Sequence, residues 1–223
     1  GMLTDGGLFT DICFDITTME SFARLIAEGY LAPLTPYPTE TSIDLSLIGL
    51  KNGEYDQNKA NKVIDTEEIV FGACREIIRA SHDRNCGIIF AQSIDNAEHI
   101  NSVLQYMGVN STVVHSKEKK SDKRIADFKN GEYKFIVNKD MLTTGFDHPP
   151  IDIIADLQPT MSPGKHVQKW FRGTRPHPSK INCLGLDFAR NVRNLGPIND
   201  PVIPRKPNGT GKAGDAPIRI CDS

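Results

Sequence analysis

The stretch Gly87-Ile88-Ile89-Phe90-Ala91 decides the fold class of this sequence, because it is wholly apolar and very short. An apolar run of this length, without alternating polar residues, is typical of a strand that is buried on both faces of a parallel sheet. Residues 94–108 follow with apolar side chains at helical spacing, and Gly108 ends that stripe. Asp95 and Glu98 are placed to cap this helix. The two runs together predict one strand-helix unit.

The same unit repeats on both sides of this stretch. Strands are predicted at residues 112–114, 135–137, 151–157 and 181–186, and helices at residues 121–130, after Ser162-Pro163, after Thr17 and after Asp65. Because strands and helices alternate at this spacing, right-handed crossovers should join parallel strands. The sequence therefore predicts an open, doubly wound α/β fold whose mainly parallel sheet carries helices on both faces.

Two stretches lack a helix or strand pattern. Residues 138–150 join two predicted strands without an apolar stripe, and loops at the carboxyl ends of parallel strands are where ligands bind. From Gly196 onward, 9 of 28 residues are Gly or Pro, which is typical of a linker. We predict one domain with an N-terminal extension over residues 1–195 and a linker or tail over residues 196–223.

The overall composition excludes several classes of protein. Hydrophobic residues make up 39 % of the 223 residues and charged residues 24 %, so the chain as a whole is not disordered. No apolar run reaches the ~18–20 residues of a membrane span, and the first residues do not resemble a signal peptide. Five cysteines form no Cys-x-x-Cys pair, and six histidines show no metal-ligand spacing. We predict a cytoplasmic protein without a membrane segment or a metal site.

Charge is distributed unevenly along the chain. Residues 1–111 carry 7 basic and 16 acidic groups, whereas residues 112–223 carry 19 basic and 12 acidic groups. A basic half suits a polyanionic partner such as nucleic acid. Lys117, Lys119 and Lys120 follow a predicted strand and are candidates for contact with backbone phosphates. A solvated loop explains these three lysines equally well.

A first group of candidate site residues lies near the predicted helix that begins at Pro163. Gln168, Arg172 and Arg175 stand at i, i+4 and i+7, so they should share one helix face. Two guanidiniums and an amide suit a polyphosphate, because each arginine offers a planar fork of charged donors. The alternative is a solvated basic helix end.

A second group lies in the loop between two strands. Thr143, Thr144, Gly145 and Asp147 combine hydroxyls, a flexible glycine and a carboxylate. Such a loop can bind phosphate through its threonines and a sugar hydroxyl or metal-bound water through its aspartate. The alternative is an ordinary loop in which Gly145 adopts a positive φ and Asp147 caps a turn.

The two groups, in this order and about 20 residues apart, resemble motifs V and VI of superfamily 2 helicases. The strand at residues 88–90 with Ser93 resembles motif IV. Residues 25–34 and 186–192 are similar to bacterial and phage DEAD/DEAH-type helicases related to restriction-enzyme motor subunits. The resemblance implies a second (C-terminal) RecA-like domain, the C-terminal half of an ATP-dependent helicase or translocase.

This resemblance assigns roles to the candidate residues. Gln168, Arg172 and Arg175 would face the γ-phosphate, with the two arginines as fingers, and Gly145 and Asp147 would approach the ribose and metal. Thr143 and Thr144 would contact the nucleic-acid backbone or couple it to the nucleotide. The predicted nucleic-acid contacts also include Ser93 and, on their charge, Lys117, Lys119 and Lys120, with DNA favoured over RNA.

The sequence departs from the family pattern in two ways. Phe171 stands where a glycine usually precedes the first finger, and Lys169 stands where arginine is frequent. The Walker A loop and the acidic box of the first RecA-like domain are not found in this sequence. ATP and Mg²⁺ would therefore bind mainly through that partner domain, and this chain alone should not hydrolyse ATP. The alternative is a noncatalytic nucleic-acid-binding or partner-docking α/β module.

Overall fold

Six parallel strands form the central sheet in the computed structural model, which describes residues 18–51, 53–142 and 145–202. They are β1 (Leu34–Pro36), β4 (Gly87–Phe90), β5 (Ser111–Val114), β6 (Phe135–Asn138), β7 (Ile153–Asp156) and β8 (Cys183–Asp187), in the spatial order β1-β8-β7-β4-β6-β5. A separate antiparallel pair joins β2 (Leu50–Lys51) to β3 (Glu54–Tyr55). The central sheet and the helices that cover it confirm the predicted doubly wound α/β fold of RecA-like type.

Helices connect the strands and begin at polar caps. They are α1 (Met19–Ala27), α2 (Gln57–Ile64), α3 (Glu67–Ala80), α4 (Ile94–Tyr106), α5 (Ser121–Lys129), α6 (Pro163–Trp170) and α7 (Asn191–Leu195), with a short 3-10 helix at Leu45–Leu47. Ser93 caps α4 by accepting a hydrogen bond from the Asn96 amide at 3.0 Å, so the prediction that Asp95 and Glu98 cap this helix was wrong. A serine hydroxyl fits this position because it reaches the free amides of the first turn.

The core forms two apolar layers, one on each face of the sheet. Ile89 of β4 belongs to the layer under α3 and α4, whereas Ile88 and Phe90 belong to the layer under α5 and α6. Ile88 lies between Ile136 and Ile154 of the neighbouring strands. Burying one such side chain contributes ~1.5–3 kcal/mol to the free energy of unfolding. Because the side chains of β4 alternate between the two faces, this all-apolar strand contributes to both layers.

A glycine in β8 lets α6 lie close to the sheet. A Cβ atom at Gly185 would lie 2.8 Å from the Cζ3 atom of Trp170, which is closer than carbon atoms pack. Trp170 is itself only 2 % exposed. Because Gly185 has no side chain, the last turn of α6 can pack directly on β8 through Trp170.

The N-terminal extension adds β1 to the sheet edge, where Leu34 pairs with Cys183. Ile198, in the first part of the predicted tail, is buried in the α6 layer, whereas residues 203–223 and the start of the extension at residues 1–17 lie outside the described residues. The predicted strand 181–186 begins at Cys183, because Ile181 is exposed before the sheet. None of the described helices is long and apolar enough to cross a membrane.

Candidate functional site

The candidate arginines lie in a turn after α6, not on the helix. Their predicted positions on one helix face were wrong, because α6 ends at Trp170. The amides of Arg172 and Gly173 donate to carbonyls only three residues earlier, at 3.3 and 3.0 Å, which tightens the chain out of the α-helix. Pro176 then disfavours a helical conformation at Arg175. We call residues 171–175 the arginine turn.

A glycine holds the arginine turn against the sheet. A Cβ atom at Gly173 would lie 2.4 Å from the Sγ atom of Cys183 and 3.0 Å from the Cδ1 atom of Ile154. No larger residue fits this position without moving the turn or the strands. The backbone on either side of Gly173 is therefore fixed, and with it the starting points of Arg172 and Arg175.

Both arginines reach the loop between β6 and β7. The Nη1 atoms of Arg172 and Arg175 donate to the carbonyl of Phe146, and Arg175 also pairs with the carboxylate of Asp147. The structure thus brings together the arginines of the predicted motif VI and Asp147 of the predicted motif V. Two guanidiniums of the arginine turn and one carboxylate of the β6–β7 loop form a charged cluster that can rearrange around an anion.

The two arginines differ in burial. Arg172 is 9 % exposed, whereas Arg175 is partly exposed. Burial lowers the pKa of the Arg172 guanidinium, and the nearby positive charge of Arg175 lowers it further. An arginine starts from so high a pKa that the Arg172 side chain stays charged at neutral pH.

The other residues of this predicted site are less closely joined. Gln168 is exposed on α6, one turn before Arg172. Gly145 is exposed and has a φ of 72°, a conformation that favours glycine, as the ordinary-loop interpretation also expected. Thr143 and Thr144 lie outside the described residues, so their assignments remain predictions.

A lysine that sequence reasoning missed joins the arginine turn to the loop. The Lys180 Nζ atom donates to the carbonyls of Gly173, at 2.9 Å, and Ile151. Burial lowers the pKa of Lys180.

At the other end of the same loop, the Asn138 side chain accepts a hydrogen bond from the Leu142 amide at 3.2 Å. The sequence signal for this contact was the position of Asn138 directly after the apolar residues 135–137.

Lys169, which departs from the family pattern, anchors α6 to the sheet. Its Nζ atom lies 2.6 Å from the Asp156 carboxylate and donates to the Gln158 carbonyl at 2.9 Å. Asn191 donates to the same carboxylate at 3.0 Å. Burial and the negative charge of Asp156 raise the pKa of neighbouring Asp187 to about 6. We call Asp156, Lys169, Asp187 and Asn191 the buried anchor.

The predicted nucleic-acid residues follow the carboxyl ends of other strands. Lys117, Lys119 and Lys120 are exposed between β5 and α5, and β5 lies three strands from β7 in the sheet. Ser93 follows β4 and is partly buried, and its hydroxyl donates to the Asn61 side chain at 2.5 Å. These residues do not form one cluster with the arginine turn.

A metal cluster is not among the features of this site. Within the described ranges, no group of three or more His, Cys, Asp or Glu residues is placed to hold a metal ion. The arrangement can instead bind an anion through Arg172 and Arg175, with the exposed Asp147 carboxylate beside them.

Known proteins resemble both the sequence and the fold. Residues 70–177 match the family model of the helicase conserved C-terminal domain. A Schizosaccharomyces pombe protein named as the mitochondrial ATP-dependent helicase irc3 is 26 % identical over 191 residues, which are 85 % of this chain and 31 % of that protein. The chain thus spans about a third of the length of this curated relative.

Solved structures share the fold at lower identity. A fragment assigned to the HsdR subunit of a type I restriction enzyme from Vibrio vulnificus YJ016 is 15 % identical, with a TM-score of 0.59 over 81 % of this chain and 38 % of that chain. The type ISP restriction-modification enzyme LlaBIII, bound to DNA, is 18 % identical, with a TM-score of 0.51 over 74 % of this chain and 12 % of that chain. The predicted resemblance is confirmed, because residues 70–177 match the helicase conserved C-terminal domain.

Proposed function

We propose that this chain is the C-terminal half of an ATP-dependent DNA helicase or translocase and supplies its arginine fingers. The observation that carries the proposal is the convergence of Arg172 and Arg175 on Phe146 and Asp147 within a helicase C-terminal domain. Two guanidiniums on a turn that Gly173 fixes against the sheet fit the charged end of a nucleoside triphosphate.

The arginine turn would act on charge that develops during phosphoryl transfer. ATP and Mg²⁺ would be held mainly by a first RecA-like domain, with Gly145 and Asp147 near the ribose and metal. Arg175 would exchange the Asp147 carboxylate for phosphate oxygens, and Arg172 would exchange the Phe146 carbonyl. Because the charge on these oxygens changes in the transition state, fingers that bind there accelerate the reaction more than they tighten ATP binding. Gln168, exposed one turn earlier, would border the same phosphate.

The nucleic-acid track would use residues elsewhere in the domain. We assign it Thr143, Thr144, Ser93, Lys117, Lys119 and Lys120. We propose DNA rather than RNA as the polymer, in line with the resemblance of the sequence to restriction-enzyme motor subunits. We place this activity in the cytoplasm, as the sequence predicts.

The finger assignment is tested in the full protein that carries this domain. Arg172→Ala and Arg175→Ala should each lower ATP turnover by about 10³-fold or more, while ATP binding changes little. Lysine at either position should rescue poorly, because a point charge does not reproduce the guanidinium fork. Steady-state ATPase rates and equilibrium nucleotide binding measure the two effects separately.

A matched control separates the fingers from a general loss of charge. Arg193→Ala removes an exposed arginine from α7 and should leave turnover unchanged. Thermal melting should show that the Arg172 variant, which removes a buried side chain, still folds. Wild-type turnover in both finger variants would refute the proposal and favour a noncatalytic binding module.

A further inference from the structure

The segment of residues 50–65, which contains β2, β3 and α2, lies outside the range that matches the helicase family. We call it the edge segment. Sequence reasoning assigned it no role, and its helix α2 buries two residues, Ala60 and Ile64. Its contacts nevertheless place it across the functional edge of the sheet.

One end of the edge segment is attached to the loop that follows β7. The Glu54 carboxylate accepts a hydrogen bond from the Thr160 hydroxyl at 3.2 Å and from the Met161 amide at 3.0 Å. Thr160 is itself buried, so these contacts are shielded from water. The carboxylate of Glu54 is therefore directed inward.

The α2 end is attached to the loop that follows β4. Gln57 accepts from the Gln92 side chain at 2.9 Å, and Asn61 accepts from the Ser93 hydroxyl at 2.5 Å. Asp65, just after α2, accepts from Asn96 at 3.1 Å. Because β4 and β7 are neighbours in the sheet, these contacts lay the segment over the carboxyl ends of both strands.

The outer surface of the edge segment is basic. Lys51 of β2 and Lys59 and Lys62 of α2 are all exposed, as is Asn58. Asp56 caps the helix by accepting from the Asn58 and Lys59 amides at 3.0 and 3.2 Å, and these bonds together with the charges of Lys51 and Lys59 lower its pKa. The three exposed lysines lie within a half of the chain that is otherwise acidic.

We propose that the edge segment contacts the phosphodiester backbone of nucleic acid through Lys51, Lys59 and Lys62. This inference rests on the proposed helicase function and extends the track beyond the family motifs. The hydrogen bond between Asn61 and Ser93 fixes α2 on the loop that follows β4, so α2 presents its lysines beside a residue that was predicted to bind nucleic acid. Contacts of this kind depend on charge and not on base sequence.

The test is a salt titration of nucleic-acid binding by the full protein. Lys59→Gln with Lys62→Gln should weaken binding and lower the slope of log affinity against log salt by about 2, since each phosphate contact contributes about 1. Arg24→Gln with Arg75→Gln removes the same charge from exposed positions on α1 and α3, and should leave the slope unchanged. Fluorescence anisotropy with labelled DNA, and with RNA of the same sequence, shows which polymer uses the contact.

Two further results separate this inference from the proposed function. If the wild-type protein shows no ATPase stimulation and no binding with either polymer, both ideas fail. If wild type is stimulated but the α2 double variant keeps its slope, only the edge-segment inference fails. An equal loss of slope in the α2 variant and the arginine control would also overturn it, because the effect would then be one of net charge alone.

Discussion

Lys169 and Arg175 lie only six residues apart along the chain, yet the ion pairs that they form with Asp156 and Asp147 have opposite surroundings. The side chains of Lys169 and Asp156 are 1 % and 0 % exposed, whereas those of Arg175 and Asp147 are 36 % and 69 % exposed. The first pair belongs to the buried anchor and the second to the arginine turn. The difference indicates that one pair holds α6 on the sheet, while the other can open and take a different partner.

The physical reason is the cost of leaving a charge without its partner. Removing one member of a buried ion pair costs about 3–5 kcal/mol, since the remaining charge has no solvent to stabilise it. An exposed pair contributes only about 0–1 kcal/mol, because water and salt replace the lost partner. A residue that must exchange a carboxylate for a phosphate belongs in the second setting.

The largest effect on stability should come from Lys169→Met. This change leaves the Asp156 carboxylate buried and uncompensated, so the free energy of unfolding should fall by about 3–5 kcal/mol. Urea denaturation of the 223-residue chain measures this loss.

A second variant tests the stated cause. Adding Asp156→Asn to Lys169→Met removes the uncompensated charge, and the double variant should be more stable than the single one. Lys123→Met, which breaks the exposed pair with Asp127, is the matched control and should change stability far less. A Lys169 variant as stable as wild type would show that the anchor is not structural.

Sequence reasoning identified the elements whose signals are local. The apolar run at β4 and the Ser162-Pro163 start of α6 each carry their own pattern, and both were predicted. β1 is only three residues long, includes Pro36, and pairs with β8 at the other end of the chain. Its partner, and not its own sequence, makes it a strand.

The sequence suggested candidate site residues but not their geometry. Arg172 and Arg175 remain predicted site residues, yet their predicted helical arrangement was wrong, since a tight turn and Pro176 end α6 early. Lys169 was noted in the sequence only as a departure from the family pattern. Its burial depends on Asp156 and Asn191, which different strands and loops bring to the same point.

An intermediate effect on stability should come from the ionisation of Asp187, which lies beside Asp156 in the register of β7 and β8. Its pKa of about 6 is well above the ordinary value of about 3.9. The folded chain therefore holds this proton more tightly than the unfolded chain does. The contribution of Asp187 to the free energy of unfolding falls as pH rises from about 4 to about 6.

His166 produces the opposite slope. Burial lowers its pKa to about 4, so the folded chain holds this proton less tightly, and the contribution of His166 to the free energy of unfolding rises with pH from about 4 to about 6.5.

The variant Asp187→Asn tests the contribution of Asp187, because it removes only the part of the free energy of unfolding that falls with pH. The difference in unfolding free energy between the variant and wild type should change by about 2 kcal/mol in favour of the variant from pH 4 to 6. Denaturation curves at several pH values measure it, and parallel profiles would contradict the role of Asp187.

The smallest effect should come from the exposed pair of the arginine turn. Arg175→Met and Asp147→Asn should each lower the free energy of unfolding by less than about 1 kcal/mol, and their coupling in a double-mutant cycle should be equally small. Raising salt from about 0.1 M to about 1 M shortens the Debye length from about 10 Å to about 3 Å, so the coupling should fade further. Urea denaturation at the two salt concentrations gives the coupling directly.

A coupling above about 2 kcal/mol that salt does not weaken would mean that Asp147 holds Arg175 as firmly as Asp156 holds Lys169. An arginine held so firmly could not move to a phosphate, and the contrast between the two pairs would be lost.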